Sequence, residues 1–146
     1  MKKREYKVKI DKLIKEKNFS ELEDLCLHAL INYEDSIFYY YLGVSQANLN
    51  KVELSIYNLG KAVFLQPDVS FFHSRLAYAY LKIGNLEFAR DSLKRSIDLE
   101  PSNEIVYIDY LKTLYNLKDD DFLTQIENAL KLFPNSNSIK KFKELK

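Results

Sequence analysis

Side chains able to carry out chemistry are scarce in this chain. Its 146 residues hold two histidines, His28 and His73, and a single cysteine, Cys26. Cys26 and His28 stand two apart on one expected helix, where such positions point to different faces. A thiolate–imidazole dyad or a paired metal ligand is therefore not expected there. The run Asp119-Asp120-Asp121 could attract a cation, but acidic residues before a helix need no metal, since they complement the positive end of its dipole. It is read as capping. No glycine-rich phosphate loop, CxxC pair or HExxH motif occurs. The expectation is a chain that is not an enzyme, with no catalytic residue, metal or cofactor.

Composition narrows the class further. Hydrophobic residues make up 47% of the chain, enough for a folded core, while glycine and proline number only three each. That balance points to an all-helical protein. One cysteine excludes an internal disulfide and suits a reducing compartment. The basic start, Met1 to Ile10, has no apolar run behind it, and no 18-residue apolar stretch follows. Neither a signal peptide nor a membrane span is expected, and the location expected is cytoplasmic. Net charge is +1, yet residues 1–17 carry eight basic and three acidic side chains, and residues 131–146 five and one. The middle is correspondingly acidic. Without a basic stripe along it, nucleic acid is not the expected partner.

The elements that must position any site are set out by three prolines. Pro67, Pro101 and Pro134 lie 34 and then 33 residues apart, each after an apolar-periodic run. Proline lacks an N–H and clashes with the preceding turn, so it marks the stop after a helix. A period of this size is that of stacked helix pairs. Counting back gives segments at about 36–48 and 52–65, 70–82 and 86–99, and 104–117 and 120–132. A weaker first pair spans about 3–17 and 19–32. Gly84 suits a left-handed helix stop, with Asn85 capping the next helix. Asn50 with Glu53 and Ser20 with Glu23 have capping-box spacing. A short ninth helix near 138–145, with a narrow stripe of Ile139, Phe142 and Leu145, reads as a terminal cap.

These residues resemble the tetratricopeptide repeat family, whose pattern is aromatic–x2–Leu–Gly–x2–Tyr, then Ala–x3–aromatic–x2–Ala, then Pro. In the second repeat Tyr39, Leu42, Gly43 and Gln46 follow it, and Ser55, Leu59, Ala62 and Pro67 complete it. The third has His73 in the aromatic core slot, with Leu76, Ala77 and Tyr80, then Ala89, Leu93, Ile97 and Pro101. The fourth has Tyr107, Tyr110, Leu111 and Leu114, then Phe122, Ile126, Ala129 and Pro134. The first keeps Tyr6, Ile10, Leu13, Leu22, Cys26 and Ala29. Leu111, Ile97 and Phe122 are bulky where the family is small, so local helix crossings should differ. The resemblance implies a right-handed α-solenoid of about four helix pairs plus a C-terminal capping helix. It forms one domain over 1–146, with repeats about 3–35, 36–69, 70–103 and 104–136 and the cap about 137–145.

Arrays of this family are similar in binding partners on the inner face of each repeat's first helix. Carried onto this sequence, that face holds Tyr40, Tyr41 and Val44, then Phe71, Arg75, Tyr78 and Lys82, then Ile108, Lys112 and Tyr115. One subset of the family grips the carboxylate end of chaperone tails through lysines, asparagines and an arginine. Here Lys7 and Arg75 match that clamp, but Asp11, Tyr41 and Phe71 replace the rest, and Asp11 would repel a carboxylate. The expected function is a non-catalytic interaction scaffold with an aromatic concave groove. Its expected partner is a protein or peptide, with a homodimer as one form. The alternative reading is an N-terminal accessory or self-association domain of a larger enzyme.

Overall fold

The computed structural model describes residues 1–145. They form nine helices and, among the described residues, no strand. These are α1 (Lys3–Lys15), α2 (Phe19–Leu30), α3 (Ser36–Asn48), α4 (Val52–Leu65), α5 (Ser70–Lys82), α6 (Leu86–Leu99), α7 (Glu104–Leu117), α8 (Phe122–Leu132) and α9 (Asn137–Phe142). Each helix packs mainly on its neighbours in the chain, and α5 also touches α3. The architecture is an α-solenoid. Its core is a series of clusters rather than one centre: Tyr6, Leu22 and Phe38 in the first, Leu59 and Phe72 in the second, and Leu93, Leu111 and Ile126 in the third.

The same turn closes every pair. Lys17, Asn50, Gly84 and Lys118 have φ of 54°, 61°, 75° and 54°, the left-handed stop that ends a helix. After each, the next N–H donates to a carbonyl five residues back: Asn18 to Leu13 at 2.9 Å, Lys51 to Gln46 at 2.8 Å, Asn85 to Tyr80 and Asp119 to Leu114 at 3.0 Å. The period therefore runs through the first pair as well, although its proline is missing. Asn85 caps α6 by accepting the Phe88 N–H at 3.2 Å.

Three capping expectations need correction. Asn50 is the left-handed stop of α3, so the capping position of α4 falls to Lys51, which makes no side-chain cap. Ser20 lies inside α2; Asn18 is the cap, accepting the Glu21 N–H at 3.3 Å. Glu23 instead is buried and takes the Lys51 ammonium at 2.6 Å. In the aspartate run, Asp121 at the capping position of α8 makes no side-chain cap, and the Asp119 carboxylate instead serves the turn, accepting from the Asp121 N–H at 2.9 Å and from Arg90 Nη1 at 3.0 Å.

Small residues set how closely the helices approach. A Cβ on Gly43 would stand 2.6 Å from Leu59 Cγ and 3.1 Å from its backbone nitrogen, so α3 and α4 meet where only glycine fits. The Ser55 hydroxyl bonds the Gly43 carbonyl across that contact at 2.7 Å. Bulky Leu111 and Phe122 stand at the matching places of α7 and α8, which approach each other less closely than the two preceding pairs. Ile97 is a different matter. Ser96, five residues before Pro101, is the buried small residue, and it meets the Ser70 hydroxyl at 3.0 Å. The small-residue position of α6 is therefore Ser96, one residue before Ile97. At the end of the chain α9 buries Ile139 and Phe142 against the last cluster, whereas Leu145 lies beyond the helix and is exposed.

Candidate interaction face

The inner helices α3 and α5 bring four aromatic rings together. Tyr40 stacks on Phe72 at 5.1 Å between centroids and meets Tyr41 and Phe71 edge-on at 5.0 and 5.1 Å. Phe71 also meets Phe72 edge-on at 5.0 Å. Tyr40 is only 8% exposed, so it is the floor of the face rather than a contact surface. Phe71, at 46%, is its open member. Phe72 was not singled out from the sequence. It stands beside the aromatic slot of its repeat, and nothing in one helix's spacing shows which ring of Phe71-Phe72 turns inward.

Beside this cluster lies a cleft of about 130 Å³ between α3 and α5, lined by Val44, Asn48, Arg75, Tyr78 and Lys82 over Leu59 and Ala79. That volume suits one side chain and is well below the ~300–1,000 Å³ of a cofactor or metabolite pocket. Its polar groups are partly spoken for. The Tyr78 hydroxyl donates to Asp109 Oδ2 at 3.0 Å, tying α5 to α7. Burial, with the Asp109 charge and bond, pushes that phenol up to about 12. Lys82 Nζ donates to the Ala47 carbonyl at 2.9 Å. Burial also raises the Tyr40 phenol, opposed by the Arg75 guanidinium beside it. Arg75 is thus an exposed cation poised over an aromatic floor.

The remaining expected groove residues lie on α7. Ile108 is half-buried against the last core cluster, and Lys112 is exposed. Tyr115, 39% exposed, packs on Phe122 with centroids 5.5 Å apart. There it lines a separate cleft of about 520 Å³ with Leu123 and Leu145 at the C-terminal end of the array. At the other end Asp11 is exposed, and its charge helps burial to raise the Tyr41 phenol. An acidic group therefore stands beside Tyr41 at this end of the face.

The histidines and cysteine are engaged elsewhere. His73 is buried and donates from Nε2 to the Pro67 carbonyl at 2.7 Å, stapling α5 to the turn before it. His28 Nδ1 meets the Tyr6 hydroxyl at 2.5 Å. Cys26 is fully buried, and burial pushes its thiol up to about 12. Among the described residues no three His, Cys, Asp or Glu side chains converge on a metal-sized site, and no helix is long and apolar enough to cross a membrane.

No protein-family model and no curated protein matches the chain. Solved structures do. YrrB, described as a TPR protein with an unusual peptide-binding site, superimposes with a TM-score of 0.79 at 18% identity, over 96% of this chain and 73% of that one. The MamA protein gives 0.79 at 19%, over 95% and 79%. The TPR domain of Arabidopsis OM64 gives 0.63 at 15%, over 76% and 93%. At these identities the likeness is one of fold. The chain has the tetratricopeptide-repeat fold.

Proposed function

We propose that this tetratricopeptide-repeat array is a non-catalytic scaffold that holds a peptide or helix of a partner protein on the α3–α5 face. The observation that carries the reading is Phe71, an open ring on a packed aromatic floor, beside a one-residue cleft rimmed by Arg75 and Lys82. Aromatic and arginine side chains anchor interfaces because they bury area while keeping a polar tip. A ring already held by its neighbours loses little entropy on binding. The peptide-binding site named for YrrB supports the general mode. The ligand read from this chemistry has an apolar side chain for the cleft and an acidic group for Arg75 within the segment. A free carboxylate end is disfavoured by Asp11. A cytoplasmic, reducing setting fits the free thiol of Cys26.

Peptides selected from a random library on the immobilised protein test this. Binding should fall by about 2 kcal/mol or more in Phe71→Ala and should also weaken in Arg75→Glu, with the melting temperature little changed. Phe71 is a cleaner probe than Tyr78, whose bond to Asp109 also links two helices. Acidic chaperone-tail peptides should bind no better than scrambled ones. Selected peptides whose affinity ignores both substitutions, or micromolar tail binding abolished by amidating the peptide's C-terminus, would refute the reading.

A further inference from the structure

The outward face of α4 carries Glu53, Tyr57, Gly60 and Phe64 about one turn apart, flanked by Leu54 and Lys61. Tyr57 is 63% exposed and Phe64 81%, and neither is part of a core cluster. The array supplies its own control. Thirty-four residues on, at the matching places of α6, stand Asp91, Lys94 and Asp98 in place of Tyr57, Gly60 and Phe64. There Asp98 pairs with Lys94 at 2.5 Å and Asp91 with Arg90 at 3.0 Å. Charged side chains therefore satisfy the fold at these positions, and the aromatic pair of α4 serves no packing need within the chain. Ile31, just past the end of α2, is likewise exposed.

We propose that this patch is a self-association surface: two copies pair through antiparallel α4 helices with Tyr57 on the two-fold axis. The charges around the patch choose this occupant and this register. With Tyr57 on the axis, Glu53 of each copy falls opposite Lys61 of the other, and the pair forms twice by symmetry. Gly60 lies along the same seam and leaves room for the other helix, since no atom lies within 4 Å of its missing Cβ. Phe64 comes over the Asn50–Lys51 start of the other α4. Sliding the helices until Tyr57 meets Phe64 would set the two Lys61 side chains side by side. Like charges disfavour that alignment. The surface lies on the outer helices, so it stands or falls independently of the α3–α5 peptide face.

Sedimentation velocity on the whole chain tests the proposal. The expected result is a reversible monomer–dimer equilibrium that weakens with salt. Tyr57→Asp with Phe64→Asp, which copies α6, should be monomeric with unchanged helical content. Glu53→Lys and Lys61→Glu should each weaken the dimer by about tenfold, since two pairs turn repulsive at once, and the double variant should recover it. The charge swap still decides the matter if the aspartate variant misfolds. Gly60→Ala separates pairing from folding: it should raise the melting temperature of dilute protein, because alanine favours helix, yet weaken the dimer. A wild-type chain that stays monomeric up to about 1 mM, the weak limit of such contacts, overturns the proposal. So does a dimer that survives the aspartates, or a charge swap that fails to recover pairing.

Discussion

Gly43 and Gly60 sit on successive helices and do opposite things. At Gly43 a methyl group would meet the side chain and the backbone nitrogen of Leu59, and the backbone atom cannot rotate away. Gly43→Ala should therefore destabilise the fold by roughly 1–3 kcal/mol through overpacking. Thermal melts of Gly43→Ala beside Gly60→Ala would check this; equal shifts of the same sign would remove the close-approach argument. Cys26 gives a second test at this scale. Burial holds its thiol near 12, so almost no thiolate is present at pH 8. Its modification by a thiol reagent should be slow in the native protein and fast in urea. The corresponding stability is full below the unfolded thiol's ordinary value of about 8.5 and is lost as pH climbs toward about 12. Rapid native labelling at pH 8 would mean that the first pair opens easily.

At the scale of elements, α1 is tied to the start of α3 by one carboxylate. Asp35 caps α3 by accepting the Ile37 N–H at 3.0 Å and forms an ion pair with Lys3. Burial alone would raise its pKa, but the Lys3 bond and charge with the Ile37 N–H outweigh that and hold it below the ordinary range. A depressed folded value means stabilisation that is present above the unfolded value of about 3.9 and lost as pH falls below it. Lys3→Ala should therefore lower the urea midpoint at pH 7 and narrow the gap to the wild type by pH 3. A gap that is unchanged or wider in acid would show that the ion pair does not contribute in this way. At the other end, α9 relies on Ile139, which is fully buried among Leu111, Leu114 and Ile126. Ile139→Ala should cost about 2–5 kcal/mol, seen as a lowered melting temperature. A loss below that range would mean that the last pair stands without its cap.

Across the whole molecule, stability should be uneven. In a stacked array each pair is held by itself and its neighbours, so loosely packed ends open first. The α3–α4 and α5–α6 pairs approach closely over Gly43 and Ala77, whereas α1–α2 and α7–α8 do so less. Hydrogen exchange should therefore be slowest in α3 to α6 and faster at both ends. The Tyr40–Phe71 face belongs to that slow centre, which would make the proposed peptide site rigid before any ligand arrives. Uniform protection from α1 to α9 would contradict this gradient and point to a single cooperative unit.

What the chain determines by itself is its local order. Proline stops and 3.6-residue periodicity are written in adjacent residues, so the helix segments from Ser36 to Leu117 could be read directly. Gly84 and Asn85 announced their turn because each acts through its own backbone or its nearest neighbours. Capping-box spacing does not locate the cap at Asn50 or Ser20, because it also occurs where the helix starts a residue or two away, and only backbone geometry says which. The inner face was legible as a set of positions, not as a surface. Helical spacing alone cannot show that Tyr40 sinks beneath Phe71, that Tyr78 is held by Asp109, or that Tyr115 turns to Phe122 at the far end. Those outcomes depend on residues thirty or so positions apart meeting across helices. The angle at which repeats stack decides them, and that angle belongs to the packed array rather than to any one of its helices.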